Sequence, residues 1–195
     1  MQLYLVRHGA TALNEKRVYQ GWTDLPLTET GQQQCALVKE KLSGVKFDTV
    51  ISSPLERAVS SAQIIAGTPR NCIITDEALK EVNFGAWEGL NSGEAEEKYP
   101  AEWQAWYRDW INYGPPQGEN FTLFYRRVVV AVKQIIHYYP GKTVLLVSHE
   151  GTLRCIVSHL LDLPPEAFWR FSFEFGCYSK LEINQGSTVL KKMNC

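Results

Sequence analysis

An α/β fold, with a doubly wound and mostly parallel sheet flanked by helices, is predicted by three segments of one design. "LYLVRHG" (Leu3 to Gly9), "DTVISSPLER" (Asp48 to Arg57) and "TVLLVSHEG" (Thr143 to Gly151) each run an apolar, β-branched strand into a polar turn. A helical pattern follows the second and the third directly, which is the grammar of βα units. The first strand has no polar alternation through Leu3-Tyr4-Leu5-Val6, so it is expected to be buried on both faces, and the Arg7-His8-Gly9 that follows then sits at the rim of a core.

Taken in order, a helix after Gly31 is marked by Cys35, Val38 and Leu42. The helix after the second strand is expected to start at Ser53, with Pro54 in its first position and Ser53 with Glu56 at capping-box spacing; Leu55, Ala58, Ala62 and Ile65 share its buried face. The segment from about 87 to 121 breaks the rhythm and reads as a lid-like helical insertion in an otherwise single domain covering 1–195. Trp103, Trp106, Tyr107 and Trp110 recur there at i, i+3, i+4 and i+7, a stripe that serves either as core or as the wall of a pocket for a flat, apolar group. The helix after the third strand carries Leu153, Ile156, Val157, Leu160 and Leu161 and stops at Leu163-Pro164-Pro165. "CYSKLEI" and "STVLKKM", separated by Asn184-Gln185-Gly186, predict a closing hairpin. His137 and His159 lie on helical patterns away from the strand ends and read as structural or surface residues.

With 20 Lys+Arg against 21 Asp+Glu, the formal charge of -1 argues against a general electrostatic grip on nucleic acid or an anionic membrane. No apolar run approaches the roughly 18 residues that span a bilayer, and no signal-peptide pattern opens the chain, so a cytoplasmic protein is expected. Cys35, Cys72, Cys155, Cys177 and Cys195 are odd in number and scattered, and read as reduced cysteines packed like small hydrophobes. The alternation of Trp169, Phe171, Phe173 and Phe175 fits an edge strand or a homodimer interface as well as a core.

In a doubly wound sheet, ligands bind outside the carboxyl ends of the strands. The residues delivered there are Arg7 and His8, Arg57, and His149. Each alone has a bland reading, an ion-paired arginine or a satisfied histidine. Together they place four cationic or donor groups at one rim, which calls for an anion, and the planar fork of arginine suits phosphate oxygens. The arginines oppose a dication, no metal-ligand spacing is present and no G-x-x-x-x-G-K-[ST] loop occurs, so no metal or cofactor is expected and the phosphate is held by side chains. An imidazole can attack phosphorus, and the leaving alkoxide then needs an acid; Glu81 in "LKEVNFGAWEG" supplies one, although spacing alone would also fit a solvated surface glutamate.

"LVRHGATALN", "PLTETGQQQC", "SSPLERAVSSA", "LKEVNFGAWEG", "GENFTLFYRRV" and "VSHEG" resemble, in order and spacing, the signatures of the histidine phosphatase, or phosphoglycerate mutase-like, superfamily over nearly the whole chain. That resemblance implies the phosphoglycerate mutase-like fold and a phosphohistidine intermediate on His8. Arg7, Arg57 and His149 would bind the transferring phosphoryl group, and Glu81 would act as general acid and then base. Asn14 would lie beside the phosphate, with Thr11, Gln20, Gly21 and Thr23 in a loop lining the entrance. Asn120 stands where many relatives carry Ser or Thr, which removes any hydroxyl role there.

Within the superfamily the likeness is to the branch that hydrolyses α-ribazole 5'-phosphate in assembling the lower nucleotide loop of cobalamin. The partner implied is a small phosphorylated metabolite. A broad-specificity phosphatase, a cofactor-dependent phosphoglycerate mutase and a non-catalytic phosphate-binding module are the alternatives. Mutases usually carry a longer tail over the site, so the ending soon after the last strand favours hydrolysis.

Overall fold

β1 (Gln2–Arg7) lacks polar alternation because both of its faces are covered. Leu3 and Leu5 join one buried cluster and Tyr4 and Val6 the other. The computed structural model describes residues 1–184 and 187–195. After β1 come α1 (Ala12–Glu15), α2 (Glu29–Lys41), β2 (Thr49–Ser52), α3 (Glu56–Ala66) and β3 (Ile74–Thr75). Then follow α4 (Ser92–Lys98), α5 (Pro100–Arg108), α6 (Phe121–Tyr138), β4 (Thr143–Ser148), α7 (Glu150–Leu160), β5 (Tyr178–Asn184) and β6 (Ser187–Lys192).

The six strands form one sheet in the order β3-β2-β4-β1-β5-β6. β1, β2, β3 and β4 run parallel, with Leu5 opposite Leu146 and Ile51 opposite the same Leu146; β5 and β6 add an antiparallel edge. One face of the sheet packs on α6 and α7 through Phe124, Val128, Val132, Leu153 and Ile156. The other packs on α2 and α3 through Cys35, Val38, Ala58 and Ala62. Truncating a fully buried residue such as Leu146 to Ala would cost about 2–5 kcal/mol. Among the described residues, no helix is long and apolar enough to cross a membrane.

Several expectations need correction. α3 begins at Glu56, later than Ser53 and Pro54 foretold, because the Asp24 carboxylate accepts the Glu56 N–H at 2.8 and 3.0 Å while the Ser53 hydroxyl faces His149 at 2.8 Å. The aromatic stripe is split, since α5 ends at Arg108: Trp103 and Trp106 stack on Trp87, Trp110 lies past the helix against Phe121 and Phe168, and Tyr107 is 75% exposed. The segment holding Phe171, Phe173 and Phe175 forms no strand, and only Phe173 is buried. Of the cysteines, Cys35 and Cys155 are packed in the core, whereas Cys72 and Cys195 are exposed and Cys177 is half-buried. The hairpin forms from Tyr178, but its turn at Gln185-Gly186 lies outside the described residues. His137 is exposed and His159 half-buried, both on helices as expected.

Candidate active site

The parallel ladder continues one residue past the strand ends. His8 N–H donates to the Ser148 carbonyl at 2.9 Å and Ser53 N–H to the Val147 carbonyl at 3.0 Å, so the carboxyl edge presents His8, Ser53 and His149 from three adjacent strands. The rings of His8 and His149 lie 5.0 Å apart. His8 Nδ1 is 2.8 Å from the Gly9 carbonyl, which can only accept, so Nδ1 carries the proton and Nε2 keeps the lone pair. Burial, then the charges of Arg57 and Arg7, hold the His8 pKa well below the ordinary 6.5. His149 is depressed in the same way by burial, Arg57 and His8. Both rings are therefore neutral at pH 7.

Arg57, fully buried near the start of α3, reaches over His8 with Nε 3.4 Å from His8 Nε2. Its Nη2 donates to the Gly21 carbonyl at 2.6 Å and its Nη1 to the Thr23 carbonyl at 3.0 Å. Burial lowers its pKa to about 10 against the opposing pull of Glu81, Asp24 and Glu88, so it stays charged at neutral pH. Arg7 is held by Glu150 at 2.8 Å and the Phe173 carbonyl at 3.0 Å, and lies 3.9 Å over the Phe175 ring. Arg7 Nε and His149 Nδ1 are buried with no hydrogen-bond partner among the described residues. An unspent guanidinium N–H and an unpaired ring nitrogen beside a lone-pair imidazole suit an anionic ligand with several oxygens.

Glu81 is buried, and burial pushes its pKa up against hydrogen bonds from Val82 and Gly151 and the charges of Arg57 and Arg7. Its oxygens accept Val82 N–H and Gly151 N–H, each at 2.9 Å, the latter from the first turn of α7. A Cβ on Gly151 would come within 2.4 Å of Glu81 Oε1, so glycine there is what lets the carboxyl approach. The loop carrying Glu81 is tied down by Arg127, whose guanidinium donates to the carbonyls of Ala78, Lys80 and Glu81 and pairs with Glu119.

Arg7, His8, Asn14, Gln20 and Glu81 line a cavity of about 440 Å3, together with Arg154, Trp106, Phe168 and Trp169. A smaller aromatic cavity of about 80 Å3 adjoins it and shares Tyr19, Phe84, Trp106, Phe168 and Trp169 with it. A hydroxyl ties the entrance loop: Thr11 Oγ1 lies 2.6 Å from Gln20 Oε1 and 3.0 Å from Asn14 Oδ1, its one proton shared between the two amide oxygens.

The structure thus brings His8, His149, Arg7, Arg57, Glu81, Asn14 and Gln20 to one site. Thr11, Gly21 and Thr23, like Arg57 and His149, lie behind the residues that line the cavity. Thr11 is fully buried behind Gln20 and Asn14, and Gly21 and Thr23 turn their carbonyls to Arg57 from outside the cavity wall. Asn120 caps α6 by accepting the Leu123 N–H at 2.9 Å. Sequence reasoning missed Ser53, Phe175, Glu88 and Arg127. In sequence Ser53 reads as a cap and Phe175 as part of a strand pattern; Glu88 and Arg127 act largely through main-chain atoms and leave no local pattern to read.

A doubly wound sheet that presents two neutral imidazoles, two arginines and a buried carboxyl at its carboxyl edge defines a class, and the chain belongs to it: residues 3–195 match the Histidine phosphatase superfamily (branch 1). The chain is an enzyme of the phosphatase type, with the phosphoglycerate mutase-like fold. It is 33% identical over 194 residues to the adenosylcobalamin/alpha-ribazole phosphatase of Escherichia coli (strain K12), covering 100% of this chain and 96% of that protein. Identity is 34% over 197 residues, with the same coverage, to the protein of that name from Salmonella typhimurium. The crystal structure of the alpha-ribazole phosphatase from Shigella flexneri superposes with a TM-score of 0.93 at 33% identity, covering 100% of this chain and 96% of that one.

Proposed function

We infer that this chain hydrolyses α-ribazole 5'-phosphate to α-ribazole and phosphate through a phosphohistidine on His8, as a step in cobalamin biosynthesis. The observation that carries the mechanism is the state of His8: buried, neutral, its Nδ1 proton fixed on Gly9 and its Nε2 lone pair facing the arginines. The substrate is supported by the likeness to adenosylcobalamin/alpha-ribazole phosphatases and by the aromatic walls of Trp106, Phe168 and Trp169 on the side of the cavity that a leaving group would occupy.

In the first step the Nε2 lone pair of His8 forms a bond to phosphorus while the ester P–O bond breaks. Arg7, Arg57 and His149 stabilise the charge on the equatorial oxygens, and each such fixed donor lowers the barrier by on the order of 3–4 kcal/mol. Glu81 enters protonated, as its raised pKa favours, and gives its proton to the departing 5'-oxygen. In the second step the Glu81 carboxylate takes a proton from water, the water oxygen bonds to phosphorus, the N–P bond breaks and phosphate leaves. Asn14 and Gln20 face the same cavity and orient the phosphate and the water.

This reading carries a small phosphorylated metabolite as partner and the cytoplasm as compartment, with a single domain whose segment 87–121 forms a wall over the leaving group. The test is phosphate release in excess chelator across α-ribazole 5'-phosphate, 3-phosphoglycerate and several sugar and nucleoside monophosphates. The expected result is a preference for the first of about a hundredfold in kcat/KM, roughly 3 kcal/mol. Flat activity across the panel would remove α-ribazole 5'-phosphate and leave a broad-specificity phosphatase.

A further inference from the structure

We propose that Glu88 is a positioning residue for Arg57, acting through the peptide bond between Gly21 and Trp22. The inference rests on the reading of Arg57 as a phosphoryl-binding group. Glu88 is half-buried, and its carboxylate gathers four backbone N–H groups from two segments of chain. Oε1 accepts from Gly21, Trp22 and Phe84 at 3.0, 2.9 and 3.2 Å, and Oε2 accepts from Gly21 and Thr23, each at 3.1 Å.

The same short segment faces Arg57 with its carbonyls. Gly21 C=O accepts Arg57 Nη2 at 2.6 Å and Thr23 C=O accepts Arg57 Nη1 at 3.0 Å. The peptide unit joining Gly21 to Trp22 therefore has Glu88 at its N–H end and Arg57 at its C=O end. A carboxylate at the N–H end polarises that unit toward its oxygen and strengthens the bond to the guanidinium. It also fixes the plane of the peptide, and with it the position of the oxygen that Nη2 must meet.

Gly21 is required for this approach. A Cβ there would lie 2.0 Å from the Val82 carbonyl oxygen and 2.5 Å from Glu88 Oε1. With two of its nitrogens held by carbonyls, Arg57 keeps its remaining edge over His8, where Nε stands 3.4 Å from Nε2. Glu88 lends its charge to Arg57 at a distance, and its hydrogen bonds reach the guanidinium only through the loop.

The test is a double-mutant cycle of Glu88→Gln and Arg57→Ala, read as kcat and KM for p-nitrophenyl phosphate, with thermal unfolding of each variant. Glu88→Gln keeps the shape but sets an amide N–H₂ against backbone N–H groups. The expected result is a fall in kcat of about ten- to a hundredfold with KM changed less than threefold, because misplacing a transition-state group chiefly affects turnover. In the Arg57→Ala background the same change should cost less than twofold.

Equal losses from Glu88→Gln in both backgrounds would overturn the proposal while leaving the role of Arg57 intact. If Arg57→Ala alone stays within twofold of the parent, the reading of the phosphate site fails instead. Should Glu88→Gln not fold, Glu88→Asp keeps the charge but cannot span both segments, and the same cycle run with it decides by the same criteria.

Discussion

At the strand ends His8 lines the cavity, with His149 and Arg57 packed against it, and all three are buried and tied to Gly9, Ser53, Gly21 and Thr23. Across from them Trp106 is half-buried, and Trp169 is 54% exposed. The first wall is polar, and its geometry is set by strand register and main-chain carbonyls. The second is aromatic and set by side-chain packing on short helices and loops, with Trp103 and Trp106 stacked on Trp87, and Trp169 against Trp110 and Phe168. The difference separates tasks. A transferring phosphoryl group needs donors that do not reorganise, whereas a leaving group is bound by area and shape, which tolerate adjustment.

The sharpest way to break this contrast is His8→Ala, which should remove covalent phosphate capture and lower phosphate release by on the order of 10⁴-fold or more, as measured by acid-labile labelling and turnover. Retained turnover would show that the rigid wall does not supply the nucleophile. Arg57→Ala should cost about 3–4 kcal/mol in kcat/KM, with loss of vanadate affinity measured in parallel.

Glu81→Gln should lower turnover of alkyl phosphates by about 10²–10⁴-fold; with p-nitrophenyl phosphate the first release of p-nitrophenolate should slow much less, since it leaves without a proton, while hydrolysis of the phosphohistidine, which uses the same carboxylate as base, slows for both. Its pH profile adds a signed check. Activity requires Glu81 protonated, so with its pKa raised by burial the parent keeps activity above the ordinary carboxylate range and loses it as pH climbs through the raised value. His8 must be neutral, and its depressed pKa carries activity below pH 6.5 on the acid side. Glu81→Gln should abolish the alkaline limb and leave the acid limb in place.

On the aromatic wall, Trp106→Ala should reduce kcat/KM for α-ribazole 5'-phosphate by roughly 1–2 kcal/mol and leave a small sugar phosphate nearly unchanged. Equal losses for both substrates would assign Trp106 to packing alone. Tyr107→Ala, at 75% exposure the stripe residue that turned outward, should change stability by about 0.5 kcal/mol or less in urea unfolding.

The elements legible in advance were those with long, consistent apolar patterns. β1, β2 and β4 showed as runs buried on both faces, and α7 as Leu153, Ile156, Val157 and Leu160 on one stripe. His8 and His149 were legible for the same reason, because a residue directly after a fully buried strand has its place fixed by the ladder. Ser53 was misread because the local rule, a hydroxyl ahead of Pro and Glu, competes with a tertiary partner 96 residues away in sequence, and the buried imidazole prevailed. Thr11, Gly21 and Thr23 lie in the expected neighbourhood, where their carbonyls and hydroxyl contact Gln20, Asn14 and Arg57.

The sequence by itself determined the sheet, the strand-end placement of Arg7, His8 and His149, and the need for an anion among them, because periodicity and charge are local properties of the chain. Only the tertiary structure decided which nitrogen of His8 is free, that Glu81 is buried against Gly151, that the aromatic stripe divides between two packing groups, and that Glu88 and Arg127 brace the loops of the site. The first turns on a backbone bend that brings the Gly9 carbonyl to His8 Nδ1 and the third on ring packing, while Glu81, Glu88 and Arg127 meet main-chain atoms distant along the chain, which no pattern of side chains marks.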